Sequence, residues 1–185
     1  MRHLALLPLA ALLAACAADP GASRPNAASA ADPVIEAPVR SRGEANRDDA
    51  LKALVTRKLA EADKLAYRAV TVEVWQGRVL LMGAVIKPEH RRNAEAIAKS
   101  AGGITKVYND LLLAEERAFD LFSPDLGREY DVRKALELEG KAGATVRVVN
   151  GVAYLLGAAS PEQAARMKAD AGEVQGIKWV VNHLE

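Results

Sequence analysis

Residues 71–84 read TVEVWQGRVLLMGA, and residues 145–158 read TVRVVNGVAYLLGA, with Gly77 matched by Gly151 and Gly83 by Gly157. Self-similarity at a long interval decides the architecture before any local assignment, because each copy is one folding unit. In the first copy Val72 and Val74 alternate with Glu73 and Trp75, Gln76-Gly77 supplies a turn, and Val79 and Leu81 resume the alternation toward Gly83. The second copy turns on Asn150-Gly151. Asn-Gly between alternating apolar residues is the strongest short-range hairpin signal, since both central residues of a type I′ turn need φ > 0. Each stretch is therefore a β-hairpin.

Working outward, Pro88-Glu89 opens a helical run through Ala94, Ile97 and Ala98 that stops at Gly102-Gly103. Ser160-Pro161-Glu162 opens its counterpart through Ala165 and Met167, ending near Gly172. Proline just inside a helix start and glycine just past its end suit the backbone groups left unpaired there. GITKVYNDL then closes the first copy and GIKWVVNHL the second, with Ile104, Val107, Asn109 and Leu111 answered by Ile177, Val180, Asn182 and Leu184. Ahead of the first hairpin, Leu51, Leu54, Val55 and Leu59 repeat at helical spacing, and Asp48 or Asp49 is placed to cap that helix. The repeating unit reads helix, strand, strand, helix, strand.

This pattern resembles the BON family, small αββαβ modules of the bacterial cell envelope. The resemblance rests on the hairpin signature Gly77, Val79, Leu81, Gly83, which the second copy keeps as Gly151, Leu155 and Gly157 with Ala153 in place of the valine, and on the closing strand. It implies an α+β fold of two modules in tandem, each a small three-stranded mixed sheet with two helices on one face. It also implies a tandem BON-domain lipoprotein of the envelope, and it brings no catalytic signature. The expected boundaries are a signal segment at 1–15, a lipidated cysteine and tether at 16–46, and modules at 47–115 and 116–185.

Strand parity exposes a second apolar face. If Val72, Val74, Val79 and Leu81 face the helices, then Trp75, Leu80, Met82, Tyr108 and Leu112 lie on the opposite side of the sheet. The same count in the second copy leaves Val149, Tyr154, Leu156, Trp179 and Val181 on its back. Apolar patches of this kind mark interfaces, so Trp75, Tyr154 and Trp179 are expected on an exposed sheet face that meets the other module, another protein or lipid.

At the N-terminus, residues 4–15 form an apolar run after Met1-Arg2-His3, long enough for a secretory signal and shorter than the roughly 20 residues a bilayer-spanning helix needs. The run ends Leu13-Ala14-Ala15-Cys16, and Cys16 is the sole cysteine. The site resembles the bacterial lipobox, which implies a covalent diacylglycerol and N-acyl chain, palmitate among them, on Cys16 and no other cofactor. An ordinary cleaved signal with an incidental cysteine is the alternative. Two or more acyl signals give stable attachment where one gives only marginal binding. Ala17 after the cysteine resembles the sorting pattern for the outer membrane. Beyond it, Ala, Pro, Ser, Asn and Arg dominate to residue 46, a composition that cannot bury enough surface to order itself. As a flexible coil, about 30 such residues span roughly 30 Å.

The connector EERAFDLFS, residues 115–123, places Phe119, Leu121 and Phe122 just before Ser123-Pro124, an N-cap and N1 pair for a helix carrying Leu126, Tyr130, Leu136 and Leu138. In the two-domain lipoproteins that the chain resembles, the first helix of the second module binds anionic phospholipid. That implies a lipid or partner surface of Phe119, Phe122 and Tyr130 with Arg128, Arg133 and Lys134 as its basic members. Burial of the aromatics between the modules, and a surface pair of Glu129 with Arg133, are the competing readings.

Charge and chemistry narrow the rest. Twenty-five Lys and Arg face 24 Asp and Glu, giving no field to hold nucleic acid. Beyond the signal segment the histidines are His90 and His183, and no spacing resembles a zinc site, a phosphate loop or a nucleophile elbow. No metal and no enzyme activity are expected. The reading is a non-catalytic outer-membrane lipoprotein facing the periplasm that binds anionic phospholipid and supports the envelope, possible partners including envelope proteins. The alternative is a protein-interaction module in an envelope or secretion assembly.

Overall fold

A computed structural model describes residues 40–138 and 143–185. Cys16, the signal segment and the tether up to residue 39 lie outside the described residues. Ser41 begins the first helix: its hydroxyl accepts the Glu44 N–H at 3.2 Å, and the Glu44 carboxylate accepts the Ser41 N–H at 2.8 Å. This reciprocal cap starts α1 (Arg42–Asp63) inside the segment expected to be tether, and neither Asp48 nor Asp49 caps it. At the other end the Asp63 carboxylate accepts the N–H groups of Leu65 and Ala66.

β1 (Val70–Trp75) pairs antiparallel with β2 (Arg78–Val85), Val74 opposite Val79. Their turn carries φ +46° at Gln76 and +76° at Gly77, the two left-handed positions of a type I′ hairpin. Helix α2 (Pro88–Lys99) then carries the chain to β3 (Lys106–Asn109), parallel to β2, and β4 (Leu112–Leu113) continues beside Ala84 and Val85. α1 and α2 cover one face of this sheet, burying Val55 and Leu59 against Val72, Val74, Val79 and Leu81.

The second module repeats the plan with α3 (Leu126–Ala135), β5 (Ala144–Val149), β6 (Val152–Gly157), α4 (Pro161–Gly172) and β7 (Trp179–Leu184), in sheet order β5-β6-β7. Its hairpin turn has φ +52° at Asn150 and +74° at Gly151. The cap of α3 is Asp125, not Ser123, and Pro124 instead bridges to Val149 beside the sheet edge. The repeated asparagine of the closing strand has a structural reason. Asn109 Nδ2 donates to the Arg91 carbonyl at 2.9 Å and Asn182 Nδ2 to the Ala164 carbonyl at 3.1 Å, tying each last strand to the helix before it.

The repeated glycine after the second strand is needed for close approach. At Gly83, φ is +105° and a Cβ would fall onto the Ala69 carbonyl oxygen; at Gly157 a Cβ would lie 2.5 Å from Ala144 Cα. Gly83→Ala is expected to cost roughly 2–4 kcal/mol, combining left-handed strain with a backbone clash. Chemical denaturation reads that cost, and Gly43→Ala, which meets nothing within 4 Å, should leave the midpoint unchanged or slightly higher.

The sheets pack back to back, giving four layers: helices, sheet, sheet, helices. Trp75, Leu80 and Met82 of the first sheet share one buried cluster with Val149, Tyr154 and Leu156 of the second. The expectation of exposure for Trp75 and Tyr154 is thereby corrected: they are 1% and 4% exposed, because each apolar back covers the other. Trp179, 65% exposed, lies outside this seam.

Polar groups close the seam at positions related by the repeat. Glu73 and Arg147 hold the same place in β1 and β5, and they meet, Arg147 Nε donating to Glu73 at 2.5 Å. Arg147 Nη1 also donates to Glu129 at 2.5 Å, and Lys52 reaches Glu73 at 2.9 Å. Asp110 and His183, again equivalent after the closing strands are aligned, meet at 2.6 Å, with the His183 ring stacked on Tyr108. Contact between equivalent positions is the mark of a two-fold, isologous interface, and here each pair has diverged into complementary chemistry.

At the rim, the Glu185 side chain gathers Tyr108, Lys106 and Arg78. Hydrogen bonds from Tyr108 and then Lys106 hold its pKa down at about 2, below the ordinary 4.5. A depressed acid stabilises the fold above its unfolded pKa and loses that contribution as pH falls through the folded one. Glu185→Gln should therefore flatten the part of the stability curve between about pH 4.5 and about 2, read by urea midpoints across that window.

Candidate functional site

The surface that presents apolar and basic groups together is built by the start of the second module. Residues Glu116–Phe122 form a 3₁₀ helix. In a three-residue period side chains at i and i+3 eclipse, so Phe119 and Phe122 point the same way, into the seam, and are 4% and 7% exposed. Leu121 points away and is 64% exposed. The Asp125 side chain then accepts the Arg128 N–H at 3.0 Å and starts α3. Leu126 and Tyr130, one helical turn apart, stand 70% and 58% exposed on the outer side, with Lys134 a further turn along.

The inner side of α3 is fixed by packing. Val132 is fully buried, and Glu129 is turned in to Arg147. Burial raises the Glu129 pKa, an effect that Arg147 only partly offsets. Arg128 pairs with Asp125 and folds over Gly176, where a Cβ would fall onto its Nε.

Leu121, Leu126, Arg128, Asn150, Gly151, Gly176 and Lys178 line an open cleft of about 580 Å³. Lys178 also lines a neighbouring depression of about 200 Å³ that includes Trp179. Among the described residues no helix is long and apolar enough to cross a membrane, and no group of three or more His, Cys, Asp or Glu is arranged to hold a metal.

The BON domain profile matches residues 47–115 and 125–185. The chain belongs to the BON family. The outer membrane lipoprotein DolP of Haemophilus influenzae is 33% identical over 110 residues, covering 58% of this chain and 57% of that protein, so the match spans little more than half of that relative. The 21 kDa hemolysin of Actinobacillus pleuropneumoniae is 29% identical over 146 residues, covering 77% and 75%. The solved C-terminal domain of CdsD, the structural protein of the type III secretion system of Chlamydia trachomatis, is 15% identical over 74% of this chain and 65% of that one, at a TM-score of 0.31.

Against the BON frame the six residues named from the sequence separate. Tyr130, Arg128 and Lys134 lie on the outer surface, Arg133 is half-buried, and Phe119 and Phe122 are inside. Leu121, Leu126 and Lys178 were missed as members of this surface. A three-residue period read over 116–122 separates Leu121 from the two phenylalanines; Lys178, which reaches the cleft from the turn before β7, leaves no local signal. Missed as well is Asp48, buried at 3% exposure. Its carboxylate accepts the N–H groups of Gln76 at 2.7 Å and Gly77 at 3.0 Å, and Arg40, stacked over Trp75, donates to it at 2.8 Å.

Proposed function

We propose that this BON protein is a non-catalytic lipoprotein of the outer membrane, anchored through acylated Cys16 and facing the periplasm, whose second module binds anionic phospholipid surfaces in support of envelope integrity. The observation that carries this reading is the exposure of Leu121, Leu126 and Tyr130 beside Arg128, Lys134 and Lys178. Apolar groups that enter the interfacial region together with cations that meet acidic headgroups make a surface-binding patch, each cation adding about 1 kcal/mol near a negative leaflet. Similarity to an outer membrane lipoprotein supports the location.

Co-sedimentation of a fragment starting at Ile35 with phosphatidylglycerol vesicles tests it; that start keeps Arg40 and the Ser41 cap and removes the acylated segment. Binding is expected to need the acidic lipid and to weaken as salt is raised. Leu126→Ser with Tyr130→Ser should reduce binding roughly tenfold or more, given the ~1.5–3 kcal/mol lost when a fully buried apolar side chain is returned to water. Equal binding to phosphatidylcholine, or no response to the double substitution, would sink the lipid reading in favour of a protein-interaction module.

A further inference from the structure

The two hairpin turns are the same device used in two ways. In the first module the adjacent N–H groups of Gln76 and Gly77 close on a single carboxylate, that of Asp48, backed by the guanidinium of Arg40. Successive N–H groups in a turn form a concavity that receives an anion. In the second module Asn150 and Gly151 repeat the conformation, φ +52° and +74° against +46° and +76°. Their N–H groups have no hydrogen-bond partner among the described residues, and no carboxylate from α3 takes the place of Asp48.

Cations stand there instead. The Lys178 stem packs over Gly151, 3.2 Å from where its Cβ would be, and Lys178 makes no ion pair among the described residues. Arg128 crosses Gly176 into the same cleft and gives Asp125 only its Nη1 side-chain donor. A guanidinium has five N–H donors, so others stay available. Asp120, also in the lining, is exposed and solvated.

We propose that the Asn150–Gly151 turn, with Lys178 and Arg128, is a binding site for a phosphate-type oxyanion, which occupies the place that Asp48 fills in the first module. The site opens beside Leu121 and Leu126, so the phosphate of a lipid headgroup is one source and a soluble phosphate the other. The headgroup source rests on the function proposed above; the site itself does not.

Amide NMR of the fragment from Ile35 tests it, with inorganic phosphate titrated against chloride at constant ionic strength. The Asn150 and Gly151 amides are expected to shift saturably while Gln76 and Gly77, already held by Asp48, stay still. Lys178→Met should weaken the response roughly tenfold, the scale of one charge-assisted hydrogen bond. Phosphatidylglycerol vesicles form the second arm: perturbation of the same two amides assigns the headgroup, and perturbation by phosphate alone assigns a soluble ligand. If vesicles bind without moving these amides and phosphate leaves them unmoved, the oxyanion site is overturned and the membrane reading stands. If both turns respond alike, or Lys178→Met changes nothing, the site is overturned as well.

Discussion

Arg147→Ala is expected to lower stability by about 3–5 kcal/mol, the cost of removing one partner from a buried ionic cluster. Glu73 and Glu129 are left behind with side chains only 8% and 10% exposed, and Lys52 reaches just the first of them. Glu129 already has a raised pKa through burial and one carboxylate oxygen without a hydrogen-bond partner. Without Arg147 the effect of burial on Glu129 is no longer offset by that guanidinium, and the carboxyl is pushed further toward its protonated form. The variant would then be less destabilised in acid than at pH 8, because a group whose folded pKa is raised favours the fold below that value and loses the advantage above it. Denaturation midpoints at the two pH values measure this. The variant Glu73→Leu, Arg147→Met, Glu129→Leu provides the counter-test. Replacing a whole buried ionic set with apolar residues of similar volume is often neutral or stabilising, so it should recover most of the loss. A triple variant as unstable as Arg147→Ala would show that the cluster acts through shape and not through charge.

Phe119→Ala is expected to be as damaging, about 3–5 kcal/mol from lost burial and an unfilled cavity, while leaving vesicle affinity of the folded protein unchanged. The ring is enclosed by the seam and covered by the Arg68 guanidinium, 4.6 Å from its centroid. Leu126→Ser should behave in the opposite way, with stability within ~0.5 kcal/mol of the parent as for an exposed position and vesicle binding reduced. The pair separates interior from membrane contact on one short stretch of chain. Loss of vesicle binding by Phe119→Ala at full folding, checked by near-ultraviolet circular dichroism, would mean that the connector leaves the seam when it meets lipid.

Both hairpins were legible because their turns demand left-handed backbone and because strand parity carries the apolar pattern unambiguously to two faces. Parity also named Trp75, Leu80 and Met82 as the apolar back of one sheet and Tyr154 and Leu156 as that of the other, with the other module, another protein or lipid as candidates to cover them; the packed sheets show that the two backs cover each other. The start of α1 was written in Ser41 and Glu44, a capping-box spacing, but lay in a segment whose alanine and proline content speaks for disorder. In the connector a three-residue period puts Phe119 and Phe122 on one side and Leu121 on another, but nothing local says which side meets the other module, so burial and lipid contact of the aromatics both stayed open. Asp48 is beyond local reading, since the N–H donors that its carboxylate accepts from belong to turn residues 28 and 29 positions along the chain. The opposite charges of Glu73 and Arg147 are visible once the repeats are aligned, yet only the packed sheets make them partners.

The buried connector has a mechanical consequence. Tandem modules joined by a solvated strap swing about it as the default, unless a large apolar contact holds them. Here Phe119 and Phe122 lie in that contact, leaving no slack at the junction. A push on α3 is therefore passed from the second module to the first as through a single block.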